Sequence, residues 1–183
     1  MKRVINGLAT LNDATVVKLI IREVNDHYHI VVYNMDNETL GYSSLTKSKD
    51  KMYELETICC FNKYQNNGVA SLIIDVYEFL LKDIDNYIIK GMYFPYNSIG
   101  KNQEKRPFEI LDINARAFYN KKGFKIMKYD SKDREKFAFE GQTSEYIIYK
   151  EKEIKEDYGF KFEEDTLIQT FKTKTKHINI WYN

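Results

Sequence analysis

Glycine and proline are scarce in this chain, at 8 and 2 of 183 residues. That excludes collagen-like and low-complexity architectures. Long apolar runs are missing too. No stretch is long and apolar enough to span a bilayer, and Met1 to Leu11 lacks the continuous apolar core of a secretory signal. Cysteine is limited to Cys59 and Cys60. Adjacent residues on a strand point to opposite faces, so these two are badly placed to bridge one another. They read as small buried hydrophobes in a reducing compartment, and a cytoplasmic location is expected. Neither sign of charge dominates, with 28 basic and 27 acidic residues and a net charge of +1. A long nucleic-acid footprint or a polybasic membrane attachment needs a basic excess, so neither partner is expected. Lys121, Lys122, Lys125 and Lys128 read as solvated surface.

What is present is apolar and aromatic material, at 43% hydrophobic and 15% aromatic residues. A chain of this kind folds around a real core. Val16 to Val24, His29 to Tyr33, Leu40 to Leu45 and Tyr53 to Phe61 read as strands, from their β-branched and aromatic content and the polar runs between them. Val69 to Leu81 is predicted as a helix, because Val69, Leu72, Ile73, Val76, Phe79 and Leu80 follow helical spacing. Tyr87 to Phe94 reads as a strand. A long polar segment, "PYNSIGKNQEKRPF", comes next. Ile110 to Lys122 is a second predicted helix, stopped by Gly123. Phe124 to Tyr129 and Glu145 to Tyr149 are strands again. The Thr/Lys alternation of the tail suggests further β structure. The order predicts an α/β (α+β) fold with a single mixed, mostly antiparallel central sheet flanked by helices. Residues 1–150 form the domain. Residues 151–183 are an extension, expected to dock on the same domain or a second subunit because Trp181 and Tyr182 are rarely left in solvent.

The stretch "YQNNGVASLI", Tyr64 to Ile73, places a glycine-containing loop between a strand and a helix. The first N–H groups of a helix have no internal partner and carry the positive end of its dipole, so such a loop suits phosphate. An ordinary helix cap is the competing reading. The loop is neither a nucleotide P-loop nor a dinucleotide fingerprint, since the Gly-Lys-Ser/Thr and the glycine spacing are absent.

Downstream, "ARAFYNKKGF" ends a helix and enters a strand. Taken together, the two segments resemble the GNAT superfamily of acetyl-CoA-dependent N-acetyltransferases over roughly Val16 to Lys150. Gln65, Gly68 and Ala70 fill the family's Gln/Arg-x-x-Gly-x-Gly/Ala pattern. Ala115, Phe118, Tyr119, Gly123 and Phe124 fill the second motif. The resemblance implies that backbone amides from Gln65 through Asn66, Asn67, Gly68 and Val69 to Ala70 hold the pyrophosphate of acetyl-CoA. It implies that the strand before the loop splays from its neighbour near Ile58 to Cys60 and pairs with the pantetheine arm. An N–H of Ile58 or Cys60 would polarise the thioester carbonyl, and Tyr119 would act as general acid. Asp112 stands where the family often has a cofactor-contacting Asn, and a carboxylate cannot donate there. No metal is implied.

An attacking amine must lose a proton, since a free alkylamine has a pKa of roughly 10. Glu54 and Glu56 share one face of their strand and are the candidate bases. Glu54 comes first by its offset from Gln65, and Glu56 second. Their plain reading is the solvent face of a half-buried strand. His27 and His29 also share a face, but no third metal ligand accompanies them. The expected activity is transfer of acetyl from acetyl-CoA to a primary amine, on a small molecule or a peptide, by direct attack in a ternary complex. A second copy of the chain is a candidate partner. The alternative is a non-catalytic acyl-CoA-binding or regulatory module on the same fold.

Overall fold

A strand needs a row of inward apolar side chains, and Val17, Leu19 and Ile21 supply one, each at most 1% exposed. They lie on β2, Val16–Val24, in a computed structural model that describes residues 2–11, 13–93, 108–128, 146–152, 168–173 and 176–182. The chain forms two units, Met1–Lys47 with Leu55–Asp83 and Glu153–Asn183, and Ser48–Glu54 with Ile84–Lys152.

In the first unit, β1 (Lys2–Thr10), β2, β3 (His27–Tyr33) and β4 (Thr39–Lys49, whose last two residues fall in the second unit) follow one another. Asn25 and Asp26, at φ 50 and 65, make the tight turn between β2 and β3. Two residues with positive φ suit the right-handed twist of a hairpin. β5, Met52–Cys60, passes through both units. The ladder order in the first unit is β5-β4-β3-β2-β1-β10-β9. Here β9 (Ile168–Thr173) and β10 (Lys176–Tyr182) come from the tail, and β10 pairs antiparallel with β1 from Ile5↔Tyr182 to Ala9↔Ile178. α1, Val69–Leu80, buries Leu72, Ile73, Ile74, Val76 and Tyr77 completely. Burial of Ile74 and Tyr77 goes beyond the one predicted stripe, and makes α1 a core helix rather than a surface one.

The second unit orders its strands β7-β8-β6-β5, with β6 at Ile88–Tyr93, β7 at Lys125–Lys128 and β8 at Tyr146–Glu151. β5 and β6 run parallel, whereas β6 with β8 and β7 with β8 are antiparallel. The fold is therefore a mixed, mostly antiparallel α/β one. Ile147 is fully buried against Ile88, Met92, Met127 and Tyr149. α2 spans Phe108–Lys121. The polar segment from Pro95 to Pro107 and the side chain of Asp112 lie outside the described residues.

α2 ends as its sequence predicts. Gly123 has φ 78, Phe124 N–H donates to the Tyr119 carbonyl at 2.9 Å, and Gly123 N–H to that of Asn120 at 3.0 Å. This is a Schellman stop, and the Tyr119 and Phe124 rings make its accompanying contact at 5.5 Å. Lys150, only 4% exposed, donates its ammonium to the Lys122 carbonyl at 2.6 Å. A cation belongs at the negative end of a helix. Lys150→Met is expected to lower stability by about 1–3 kcal/mol, because it removes a charged hydrogen bond from a part-buried carbonyl. Urea unfolding checks this. A midpoint equal to wild type would mean that the bond contributes nothing.

Candidate active site

The loop ahead of α1 is tied down before it reaches the helix. Glu38, on the turn between β3 and β4, accepts hydrogen bonds from Lys63, at 2.9 Å, and from the Tyr64 hydroxyl. Tyr64 and then Lys63 hold the Glu38 carboxyl below its ordinary value, and Glu38 pushes Lys63 up to about 12. A depressed carboxyl stabilises above its unfolded pKa and ceases to as pH falls through the folded one. The tether is thus complete at neutral pH and released in acid.

Beyond Tyr64, φ is positive at Asn66 and again at Gly68, at 67 and 88. Gly68 is the N-cap of α1 and makes no side-chain cap. The first turn is therefore not closed by a Ser, Asp or Asn at its head, as an ordinary helix start is. One amide of that turn has found another use, since Ala70 N–H is directed to the Cys60 sulfur. Burial pushes the Cys60 thiol up to about 11, and the neighbouring Cys59 adds to this.

Glycine at position 41 permits a close approach. A Cβ there would stand 2.6 Å from the Cys59 carbonyl oxygen and 2.9 Å from Val69 Cγ1. Gly41 thus lets β4, the end of β5 and the start of α1 meet. A glycine inside the predicted strand Leu40 to Leu45 was the only signal of it.

β5 is irregular near its end. The β4 register against β3 is regular from Gly41 to Thr46, so Tyr42 and Thr46 lie on one face. The Thr46 hydroxyl donates to Glu56 at 2.9 Å. The Tyr42 phenol, on the same face, is raised in pKa by the Cys59 thiol beside it. Glu56 and Cys59 are three residues apart, and strict alternation would put them on opposite faces. One extra residue is therefore accommodated between them, as in a β-bulge. Past it, Phe61 N–H donates to the Leu40 carbonyl of β4 at 3.1 Å. Alternation then turns the Cys60 N–H away from β4. Ile58 lies inside the irregular stretch.

In the second unit, the rungs between β5 and β6 are Met52↔Ile88, Tyr53↔Ile89 and Glu54↔Lys90. Glu54 is the last of them, while β5 continues to Cys60. Its carboxylate stands 2.9 Å from Lys90 Nζ, and the Lys90 side chain is fully buried. Glu54 thus neutralises a buried cation that sequence reasoning missed, because a lysine in "IIKGMY" carries no sign of being enclosed. The Tyr119 ring is held edge-on against Tyr93 at 6.0 Å and against Phe118 at 5.0 Å. Among the described residues no group of three or more His, Cys, Asp or Glu could hold a metal, and His27 instead contacts the Thr46 hydroxyl at 3.0 Å. No helix among them is long and apolar enough to cross a membrane.

No family model and no curated protein matches the chain. Solved structures do. A GNAT-family acetyltransferase from Staphylococcus aureus Mu50 matches with a TM-score of 0.53 at 14% identity, covering 69% of this chain and 68% of that one. Nourseothricin acetyltransferase gives 0.49 at 12% identity over 82% and 86%. A PaiA N-acetyltransferase from Thermoplasma acidophilum, in complex with coenzyme A, gives 0.46 at 16% over 69% and 62%. A shared fold at such low identity rests on architecture alone. The chain has the fold of the GNAT acetyltransferases.

Proposed function

We propose that the protein is an N-acetyltransferase that moves acetyl from acetyl-CoA to a primary amine, on a small molecule or a peptide. The observation that carries this reading is the start of α1. It begins on Gly68, without a side-chain cap, directly after β5, in a chain with this fold. Backbone amides of Gln65 to Ala70 would hold the pyrophosphate, that of Ala70 being shared with the Cys60 sulfur. The pantetheine arm would pair with β5 beyond its last rung at Glu54, and the outward Cys60 N–H would polarise the thioester carbonyl. Loss of one such donor typically costs about 3 kcal/mol of transition-state stabilisation.

The neutral amine attacks the thioester carbon. A C–N bond forms, the C–S bond breaks, and the sulfur leaves as thiolate. We assign the proton released by the amine to Glu56 rather than to Glu54. Protonating Glu54 would remove a negative charge 2.9 Å from a buried ammonium, which costs several kcal/mol. Glu56 is exposed and accepts a hydrogen bond from the Thr46 hydroxyl. The Tyr119 hydroxyl would return a proton to the thiolate.

Calorimetric titration with acetyl-CoA, followed by thiol-release assays over a panel of amines, tests the proposal. Binding with turnover is the expected result. Glu56→Gln is expected to lower kcat by about 10²–10⁴-fold. Binding without turnover on any amine would support a non-catalytic acyl-CoA-binding module, and no binding by folded protein would sink both readings.

A further inference from the structure

The bulge in β5 aims the Cys60 N–H, so whatever fixes the bulge governs the reaction. Ser43 lies on the face of β4 opposite Tyr42 and Thr46, and is 3% exposed. Its hydroxyl donates to the Thr57 carbonyl at 2.5 Å. Thr57 directly follows Glu56, where the alternation of β5 breaks. A bulge leaves backbone groups out of the regular ladder, and buried ones need a partner. Here the partner is a side chain from the neighbouring strand. Burial raises the pKa of Tyr77 of α1 and the nearby Ser43 hydroxyl offsets part of this, yet the buried Tyr77 hydroxyl makes no hydrogen bond in the structure. The Thr57 carbonyl is thus served by Ser43 and not by Tyr77.

We infer that Ser43 is a positioning residue for acetyl transfer: by holding the Thr57 carbonyl it fixes where the extra residue of β5 sits, and so the direction of the Cys60 N–H. The inference rests on the proposed activity. Without the Ser43 hydroxyl the irregularity can shift along β5, and the Cys60 N–H turns from the place where the carbonyl oxygen gains charge. The pyrophosphate cradle assigned to Gln65 to Ala70 is left in place, so affinity for acetyl-CoA is expected to fall far less than kcat. Misplacing a group by about 1 Å can cost on the order of 10²-fold in rate.

Two variants and two readouts test this. Ser43→Ala is expected to lower kcat by about 10- to 100-fold, with affinity for acetyl-CoA within about twofold of wild type. Tyr77→Phe removes the adjacent hydroxyl without touching Thr57 and is expected to leave kcat within about threefold. Equal losses in both variants, or a matching loss of acetyl-CoA affinity in Ser43→Ala, would reduce Ser43 to ordinary packing and overturn the inference. The second readout needs no activity. Backbone amide resonances of Thr57 to Cys60, without ligand, are expected to move in Ser43→Ala and to stay in Tyr77→Phe. Unmoved resonances in Ser43→Ala would overturn the inference even in an active enzyme. Moved resonances in a protein that acetylates no amine would keep the structural role of Ser43 and discard the acetyltransferase reading instead.

Discussion

Glu54→Ala is expected to destabilise the fold by about 3–5 kcal/mol, the range for removing one partner of a buried ion pair. Lys90 is the reason. Its side chain is fully buried, and the Glu54 carboxylate stands 2.9 Å away across the last rung of β5 and β6. Taking away the carboxylate removes a negative charge 2.9 Å from an enclosed ammonium. Glu54→Gln keeps the shape and still loses the charge, so it should fall between wild type and alanine. The double variant Glu54→Met with Lys90→Met removes both charges and should recover most of the loss. Denaturant unfolding of Glu54→Met, Lys90→Met and the double closes a cycle whose interaction term is the pair itself. A Glu54→Ala loss below about 1 kcal/mol would place the pair among surface salt bridges and refute the argument. The cycle also bears on catalysis. Lost turnover in a Glu54 variant counts as chemistry only when the variant is shown to be folded.

Gly68→Glu is expected to weaken acetyl-CoA binding by at least about 100-fold, the equivalent of roughly 2.7 kcal/mol. The glycine sits at φ 88, where an L residue costs about 1–2 kcal/mol. The added carboxylate would occupy the head of α1, where the pyrophosphate is assigned, and repel it. A negative charge at a helix N-terminus favours the helix itself by about 0.3–1 kcal/mol. Backbone strain and dipole gain therefore partly cancel, and lost binding does not have to mean lost fold. Gly68→Asn separates the effects, because Asn adopts this backbone region readily and carries no charge. Asn with near-normal affinity beside a dead Glu variant is the expected pair of results by calorimetry. Wild-type affinity in the folded Glu variant would remove the pyrophosphate from this loop.

Much of the architecture was legible because it depends on local rules. The spacing of Val69, Leu72, Ile73 and Val76 marked α1, and the dense β-branching of Val16 to Val24 marked β2. Gly123 marked the end of α2 because only a positive-φ residue completes that stop. β1 was missed for a physical reason. Its inward positions are Ile5, Gly7 and Ala9, two of them too small to raise a hydrophobic signal, while Val4 faces out and is 36% exposed.

The amino-acid sequence by itself determined the order of strands and helices from β2 to β8, the glycine loop before α1 and the candidate carboxylates, since each follows from neighbours within a few residues. Tertiary structure decided what those groups do. Whether Glu54 serves a buried lysine depends on which residue faces it across β5 and β6, residues far apart in the chain. Whether Ala70 N–H meets the Cys60 sulfur, and whether Ser43 reaches the Thr57 carbonyl, depends on one extra residue in β5. Strand register and burial are set by packing between distant segments, and no local periodicity encodes them.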